Sequence, residues 1–319
     1  MSNSVSPVGR KLALIAGPTA SGKSDLAVAL AQGWEARGGR TVVINADSAQ
    51  VYADLQVLSA RPNEAEMGGV EHRLFGAWDG TTACSAGDWA TRARREIERA
   101  QDADVLPILV GGTGMYVRTL LDGIAPIPPI DPDVRETVRA LDTETAHSAL
   151  VVEDPERAAL LKPTDTQRIM RALEVVRSTG QPLKHWQTKL EGGIGDALEL
   201  HPLILQPDRE TLYERCDRRF ARMMEDGAIA EVEALLARNL DPDLPVMRAI
   251  GVPEIAALLR GEIDRAETIA RGQQATRNYA KRQYTWFRNQ PPQDWQRRDI
   301  GNSIFDGKTE ILFSDLLLT

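Results

Sequence analysis

Cysteine is scarce in this chain of 319 residues, and long apolar runs are missing. The two cysteines, Cys84 and Cys216, lie far apart, and neither belongs to a C-x-x-C or Cys/His cluster. This spacing argues against a disulfide framework and against the common type of zinc site. No stretch approaches the roughly 18 consecutive apolar residues of a membrane helix, and the N-terminal residues are polar, so we expect neither a membrane span nor an export signal. We therefore expect a protein of the reducing cytoplasm.

A surplus of positive charge is also missing. The chain has 38 Lys and Arg against 46 Asp and Glu, which gives a net charge of −8. This balance excludes a surface that is basic overall, so any contact with nucleic acid has to be confined to a local patch.

One segment, residues 268–293, reverses this balance because it contains basic but no acidic residues. Its periodicity predicts a long helix from about Ala266 to Asn289, on which aromatic side chains alternate with the basic ones. This combination suits contacts with RNA phosphates supplemented by base stacking, although a basic surface balanced by acidic neighbours is the ordinary alternative. The basic residues are Arg271, Arg277, Lys281, Arg282 and Arg288.

The most specific motif is GPTASGKS, which fits the phosphate-binding pattern G-x-x-x-x-G-K-[ST]. It follows the apolar run 12–16 and precedes a helical pattern over 25–31, so strand, loop and helix are all predicted. The glycines let backbone N–H groups and the helix N-terminus face phosphate oxygens, while Lys23 adds a charge and Ser24 a ligand for Mg²⁺. The motif predicts a site for a di- or triphosphate, formed by Gly17, Pro18, Thr19, Ala20, Ser21, Gly22, Lys23 and Ser24.

Further short strands are predicted at 41–45, 104–110 and 203–205, and they alternate with helical segments. This alternation predicts an α/β fold of the P-loop NTPase type, a parallel sheet flanked by helices. Ligands of such sheets bind beyond the carboxyl ends of the strands, where the polar turns of this chain lie.

Prolines between about residues 126 and 155 indicate a segment that is separate from the predicted core. We expect a first part of the core, a small inserted all-helical domain, a second part of the core with basic C-terminal helices, and two tails. The expected boundaries are 11–123, 124–163, 164–292, and 1–10 with 293–319, respectively.

Two of the polar turns carry candidate catalytic residues. Asp47 follows the second strand, where a carboxylate could hold Mg²⁺, accept a proton, or only cap a following helix. Thr113 lies in the glycine-rich turn 111–114, which could bind a phosphate oxygen or simply connect strand to helix.

Arginines recur on two predicted helices. On the helix 165–180, Arg168 and Arg171 share a face, as solvated arginines often do. On the helix 212–236, Arg215, Arg219 and Arg222 share a face that could neutralise developing pyrophosphate charge or form ordinary ion pairs.

Six motifs occur in a fixed order between Ala13 and about Asn289, and together they resemble the tRNA dimethylallyltransferase family, also called tRNA isopentenyltransferase. Because no C-terminal Cys/His segment follows, the resemblance is to the bacterial type. It implies transfer of a dimethylallyl group from dimethylallyl diphosphate to the exocyclic amino nitrogen of the adenosine 3′-adjacent to a tRNA anticodon, with release of pyrophosphate. The motifs are GPTASGKS, NADSAQVY, GGTGMY, DTQRIMRALE, RRFARMMEDGAIAEV and YAKRQYTWFR.

The resemblance also implies roles for single residues. Asp47 would accept or orient the proton of the attacking amine, and Thr113 and Arg219 would assist at the diphosphate, although the alignment could shift the arginine to Arg222. A Mg²⁺ ion on Ser24 is the implied cofactor. We expect a monomer whose partners are dimethylallyl diphosphate and a tRNA anticodon stem-loop. The implied tRNA contacts are Asp47, Ser48, Ala49, Gln50, Gln167, Arg168, Ile169, Met170, Arg171, Arg248, Arg277, Tyr279, Lys281 and Arg282.

Three rival functions stay open at this point. An adenylate dimethylallyltransferase would use free AMP, ADP or ATP, and it would need neither the insertion nor the basic helix. A small-molecule kinase would use the same loop and carboxylate but would leave the basic helix unexplained. A non-catalytic RNA-binding protein would not need Lys23, Ser24 and Asp47 together.

Overall fold

The computed structural model describes residues 9–299, which form two compact units. The first unit comprises residues 9–120 and 195–299, and the second comprises residues 121–194. The strands are β1 (Lys11–Ala16), β2 (Thr41–Asn45), β3 (His72–Arg73), β4 (Leu106–Gly111), β5 (Gly123–Ile124), β6 (Glu191–Gly192), β7 (Glu199–Leu205) and β8 (Gln296–Arg298). The helices are α1 (Lys23–Glu35), α2 (Glu64–Met67), α3 (Ala86–Asp102), α4 (Gly114–Asp122), α5 (Pro132–Arg139), α6 (Thr143–Glu153), α7 (Pro155–Leu160), α8 (Thr166–Thr179), α9 (Leu183–Gln187), α10 (Arg209–Met223), α11 (Ala228–Ala237), α12 (Val252–Leu259) and α13 (Arg265–Asn289).

A parallel sheet of six strands organises the first unit, in the order β3-β2-β4-β1-β7-β8. Every residue of β2 and β4 is buried, and so is all of β1 except Lys11. Helices α1 and α3 both pack on β2 and β4, which explains why these strands are nearly continuous apolar runs. The predicted α/β fold with a parallel sheet and flanking helices is confirmed.

The chain leaves β1 through the phosphate-loop motif and enters α1 at Lys23. Gly22 precedes the helix with φ 87°, a left-handed conformation that glycine adopts without strain. Gly17 is equally constrained, because a Cβ atom there would lie 2.6 Å from the carbonyl oxygen of Leu205. The two glycines therefore allow a tight turn beside the end of β7.

The second unit consists of α5 to α9 and a short antiparallel pair, β5 with β6. The predicted inserted domain at 124–163 is too short, and it is not all-helical. The predicted boundaries place helix α8 in the core, but Ile169 and Leu173 on its buried face join Val138 and Leu150 in the hydrophobic centre of the second unit. The sequence pattern identified the helix correctly but could not show which apolar surface covers it.

Two further expectations for the C-terminal half need correction. The predicted helix 212–236 is divided into α10 and α11 at Gly227, whose φ of 108° interrupts the helix. The predicted tail from residue 293 contains β8, which pairs with the edge of β7. Residues 1–8 and 300–319 of the predicted tails lie outside the described residues.

Between residues 9 and 299 we find no helix that has both the length and the apolar character needed to cross a bilayer.

Candidate active site

The first unit contains a cavity of about 820 Å³ where β1 and β2 end. This is the carboxyl edge of the sheet, where the alternation of strands and helices places the ligand. The cavity brings together segments that lie more than half the chain apart in sequence. The predicted site residues that line it are Thr19, Ala20, Ser21, Gly22, Lys23, Ser24, Asp47, Ser48, Ala49, Gln50, Arg219, Arg248, Tyr279 and Arg282.

The phosphate loop presents positive charge and unused polar groups to this cavity. Burial lowers the pKa of Lys23, and the nearby carboxylate of Asp47 opposes this effect. The hydroxyl of Ser21 is also buried, and it has no hydrogen-bond partner among the residues that the structure describes. A buried cation and an unpaired hydroxyl at the N-terminus of α1 form a site prepared for an anion.

Gln283 on α13 connects this loop to the glycine-rich turn after β4. Its side chain accepts a hydrogen bond from the Thr19 amide at 2.8 Å and donates one to the Gly112 carbonyl, also at 2.8 Å. The sequence interpretation missed Gln283, although it lies within the motif YAKRQYTWFR. A polar residue at a buried helix position, between Ala280 and Phe287, was the available signal.

Asp47 is almost fully buried in the cavity wall. The side chain of Asn45 fixes its backbone, accepting from the Asp47 amide at 2.8 Å and donating to its carbonyl at 3.0 Å. One carboxylate oxygen of Asp47 accepts from the Ala49 amide at 3.0 Å. Residues 48–50 form a turn and not a helix, so the helix-capping alternative is wrong. The carboxylate is close enough to Lys23 and Arg219 to influence the pKa of both.

Thr113 is not among the residues that line the cavity. Its hydroxyl accepts from the Ser48 amide at 2.9 Å and donates to the Ser48 hydroxyl at 3.1 Å. Tyr279 forms hydrogen bonds to both hydroxyls, while burial raises its pKa to about 12. The phenol therefore stays protonated and uncharged at neutral pH. The predicted role of Thr113 at the diphosphate stays a prediction, and its observed contacts shape the turn that carries Asp47.

Arg219 and Arg222, the two candidates for the diphosphate arginine, have different environments. Arg219 lines the cavity and donates to the Thr19 hydroxyl. Burial lowers its pKa, and the charge of Asp47 opposes this. The Arg222 side chain is 82% exposed and pairs with Asp226 at 3.1 Å. Of the two arginines, only Arg219 lines the cavity, so the geometry favours it as the predicted diphosphate arginine.

The predicted RNA-binding residues of α13 are used in different ways. Arg282 and Tyr279 line the cavity, with the guanidinium of Arg282 5.6 Å from the ring centre of Tyr279. Lys281 is exposed and has no ion-pair partner between residues 9 and 299. Arg277 bridges to Asp217 on α10 at 2.5 and 2.7 Å and does not line the cavity. In addition, Arg248 lines the cavity and pairs with Asp243.

The remaining predicted tRNA contacts, residues 167–171, belong to the second unit. Gln167, Arg168 and Arg171 are exposed on α8, and Met170 is half-buried. Ile169 is fully buried in the hydrophobic centre of the unit. The helical repeat turns the Ile169 side chain inward, so only the other side chains of this segment are accessible, and its predicted tRNA contact stays a prediction.

The described part of the chain contains no cluster of three or more His, Cys, Asp or Glu residues that could hold a metal ion. The hydroxyl of Ser24 and the carboxylate of Asp47 do line the same cavity. Magnesium is often held by one or two protein oxygens together with substrate phosphates and water. These two oxygen donors therefore fit a Mg²⁺ ion whose other ligands would be diphosphate oxygens and water.

Comparison with known proteins gives a consistent result. The model of a family described as IPP transferase matches residues 50–290. The tRNA dimethylallyltransferase of Erythrobacter litoralis is 64% identical over 305 residues, which cover 96% of this chain and 95% of that protein. The enzyme of the same name from Novosphingobium aromaticivorans is 65% identical over 272 residues, which cover 85% and 97%.

Two solved structures have similar folds. The full-length tRNA isopentenylpyrophosphate transferase from Bacillus halodurans aligns with a TM-score of 0.68 at 32% identity, over 97% of each chain. A eukaryotic dimethylallyltransferase, described as acting on tRNA, aligns with a TM-score of 0.74 at 28% identity, over 88% of this chain and 70% of that one.

Proposed function

This chain belongs to the IPP transferase family, and on that basis we propose that it is a tRNA dimethylallyltransferase. The reaction transfers a dimethylallyl group from dimethylallyl diphosphate to the exocyclic amino nitrogen of the adenosine 3′-adjacent to the anticodon. The products are N6-dimethylallyladenosine in tRNA and pyrophosphate.

One observation carries this proposal, namely that a single cavity of the first unit holds both an anion site and a set of polar and aromatic side chains. Lys23 and Arg219 lie at the anion site, and Gln50, Tyr279 and Arg282 are the polar and aromatic side chains of the same cavity. Asp47 lines this cavity as well. A donor diphosphate and an acceptor base can therefore reach one carboxylate. The names of the relatives favour tRNA as acceptor over free adenine nucleotides and over phosphoryl transfer to a small molecule.

The residues divide the chemistry as follows. Lys23 and Arg219 offset the negative charge that develops on pyrophosphate as the carbon–oxygen bond of the donor breaks. The amino nitrogen of adenosine forms the new bond to the dimethylallyl carbon, and Asp47 takes the proton that this nitrogen loses. When a magnesium ion is bound, Ser24 would hold it, and it would neutralise further charge on the leaving group.

A base inside a stacked anticodon loop hides its amino group, so the adenosine has to leave the stack to reach Asp47. We propose that Ser48, Ala49 and Gln50 contact the displaced nucleotide. Exposed Lys281 and Arg282 would bind phosphates of the stem-loop. We also propose that the enzyme is cytoplasmic and acts as a monomer. Sedimentation of the purified protein with and without tRNA would test the oligomeric state.

The test is the incorporation of label from dimethylallyl diphosphate into unmodified tRNA, with AMP and ATP as parallel acceptors. We expect label in tRNA alone, in an amount that falls when Mg²⁺ is removed by a chelator. Label in the free nucleotides would instead assign an adenylate dimethylallyltransferase, and consumption of ATP without transfer of label would assign a kinase.

A further inference from the structure

Helix α11 holds a distant segment of the first unit through one carboxylate. Glu231 accepts hydrogen bonds from three successive backbone amides, those of Gln56, Val57 (2.8 Å) and Leu58 (2.9 Å). An ionised carboxylate that receives several N–H groups forms stronger hydrogen bonds than a neutral acceptor. No residue near the segment in sequence supplies these bonds, so the conformation of 56–58 depends on α11.

This segment forms part of the cavity wall. Leu58, Ser59, Ala60 and Pro62 all line the cavity. Two local hydrogen bonds also hold this part of the chain. The Ser59 hydroxyl donates to the Leu55 carbonyl at 2.6 Å, and the Ala60 amide donates to the Val57 carbonyl at 2.9 Å. These bonds connect residues 59 and 60 to the part of the chain that Glu231 holds.

The carbonyl groups of the same segment orient Gln50. Its side-chain amide nitrogen donates to the carbonyl of Ser59 at 3.1 Å and to that of Ala60 at 2.8 Å. These two bonds use both hydrogens of the amide and fix its orientation. The amide oxygen of Gln50 accepts no hydrogen bond from any described residue, and Gln50 lines the cavity. The group left for a ligand is an acceptor, which suits an N–H donor.

A second contact from α11 supports the same region. Arg238, the residue after the helix, pairs with Asp54 and, at 2.7 Å, with Asp79. Asp54 in turn accepts from the Gly80 amide at 2.8 Å. Arg238 therefore holds the chain at residue 54, just before the segment, whereas Glu231 holds residues 56–58, next to the carbonyls that bind Gln50.

We propose that Glu231 is a positioning residue for recognition of the acceptor nucleotide. It holds the segment 56–62, the segment holds the Gln50 amide, and Gln50 then presents its oxygen to an N–H donor of the tRNA substrate. This inference rests on the proposed function, because it assumes that Gln50 contacts tRNA.

The first variant is Glu231→Gln. Its single acceptor oxygen cannot serve three amides, and its NH₂ group would face a backbone N–H. We expect KM for tRNA to rise about tenfold, as for the loss of one good hydrogen bond, with KM for dimethylallyl diphosphate unchanged. The matched control is Glu233→Gln on the exposed side of the same helix, which should behave as wild type in both constants. Thermal unfolding establishes that each variant is folded, and Glu231→Asp replaces the first variant if it is not.

A double-substitution cycle separates this role from a purely structural one. Gln50→Ala alone should raise KM for tRNA, and adding Glu231→Gln to it should raise KM no further, because both act through one amide. If Glu231→Gln raised KM for tRNA by the same factor with and without Gln50, the inference would be overturned. A wild-type KM for tRNA in folded Glu231→Gln would also overturn it. Failure of the wild-type protein to modify tRNA would show a different fault, since it would overturn the proposed function and this inference with it.

Discussion

Lys23 shows how one side chain can be prepared for a ligand. Its ammonium group is buried with a lowered pKa, and Asp47 is the acidic residue whose charge opposes the shift. A buried cation whose charge is only partly compensated is unfavourable for folding, but the proposed diphosphate would supply the missing negative charge. The stability of the free protein and the affinity for the donor should therefore respond to this side chain in opposite ways.

We expect Lys23→Met to leave the free protein at least as stable as wild type, since the substitution removes a buried charge and retains much of the side-chain volume. The same variant should lose about 100-fold in transfer rate, because charge on the leaving group is no longer offset. Thermal unfolding with and without dimethylallyl diphosphate, together with the transfer rate, checks both parts. A lower melting temperature without ligand, together with a normal shift on adding it, would contradict this account.

Asp47 should act in the chemical step and not in holding the tRNA. Asp47→Asn keeps the size of the side chain but removes the base, so we expect transfer to fall by roughly 100-fold or more. The dissociation constant for tRNA, measured by filter binding, should stay within about threefold of wild type. A parallel loss of binding would assign Asp47 to recognition.

The two neighbouring arginines of α10 provide a matched pair. Arg219→Gln should reduce the transfer rate by about 100-fold, because this guanidinium lies in the cavity beside Thr19. Arg222→Gln, on the exposed side of the helix, should change the rate by less than about twofold, since it removes only a surface ion pair. Steady-state rates at saturating tRNA decide between them, and the reverse order would restore Arg222 as the diphosphate arginine.

Among the elements, α13 connects several segments of the site. Gln283 links the phosphate loop to the turn after β4, and Tyr279 contacts the turn that carries Asp47. Lys281 and Arg282 are exposed on the same helix. A single element therefore supports the catalytic cavity and also presents cations that RNA phosphates can reach.

The double variant Lys281→Ala with Arg282→Ala should weaken tRNA binding and reduce its salt dependence, by about one unit of slope for each phosphate that the variant no longer neutralises. Binding of dimethylallyl diphosphate should not change. Arg277→Ala is the comparison on the same helix, and we expect it mainly to lower stability because it breaks the bridge to Asp217. Affinities measured between low and moderate salt test this, and an unchanged slope for the double variant would remove Lys281 and Arg282 from the interface.

Local patterns were sufficient to predict β1, the phosphate loop, α1 and the helical span of α13. Each is defined by neighbours in sequence, through glycine spacing or apolar periodicity. The contacts of Gln283 and Glu231 could not be predicted in this way, because their partners lie more than 170 residues away. The pairing of β8 could not be predicted for a different reason, because a strand of three residues carries too little pattern to be recognised. The placement of α8 depended on which apolar surface covers it, which only the packed structure shows.

The 319 residues together have a net charge of −8, yet the proposed partner is a polyanion. Long-range repulsion should keep its affinity for arbitrary RNA low, so that binding depends on the local cations and on the fit of one displaced nucleotide. The proposed function therefore requires more than transfer to RNA, since the group has to reach one defined position.

The most direct measurement is to locate the modification. Unmodified tRNA is incubated with the protein and dimethylallyl diphosphate, cleaved into fragments, and analysed by mass spectrometry for the nucleoside that carries the added group. We expect N6-dimethylallyladenosine in the anticodon fragment, at the adenosine 3′-adjacent to the anticodon and at no other adenosine. The group at other positions, or in free nucleotides with the tRNA unmodified, would contradict the account.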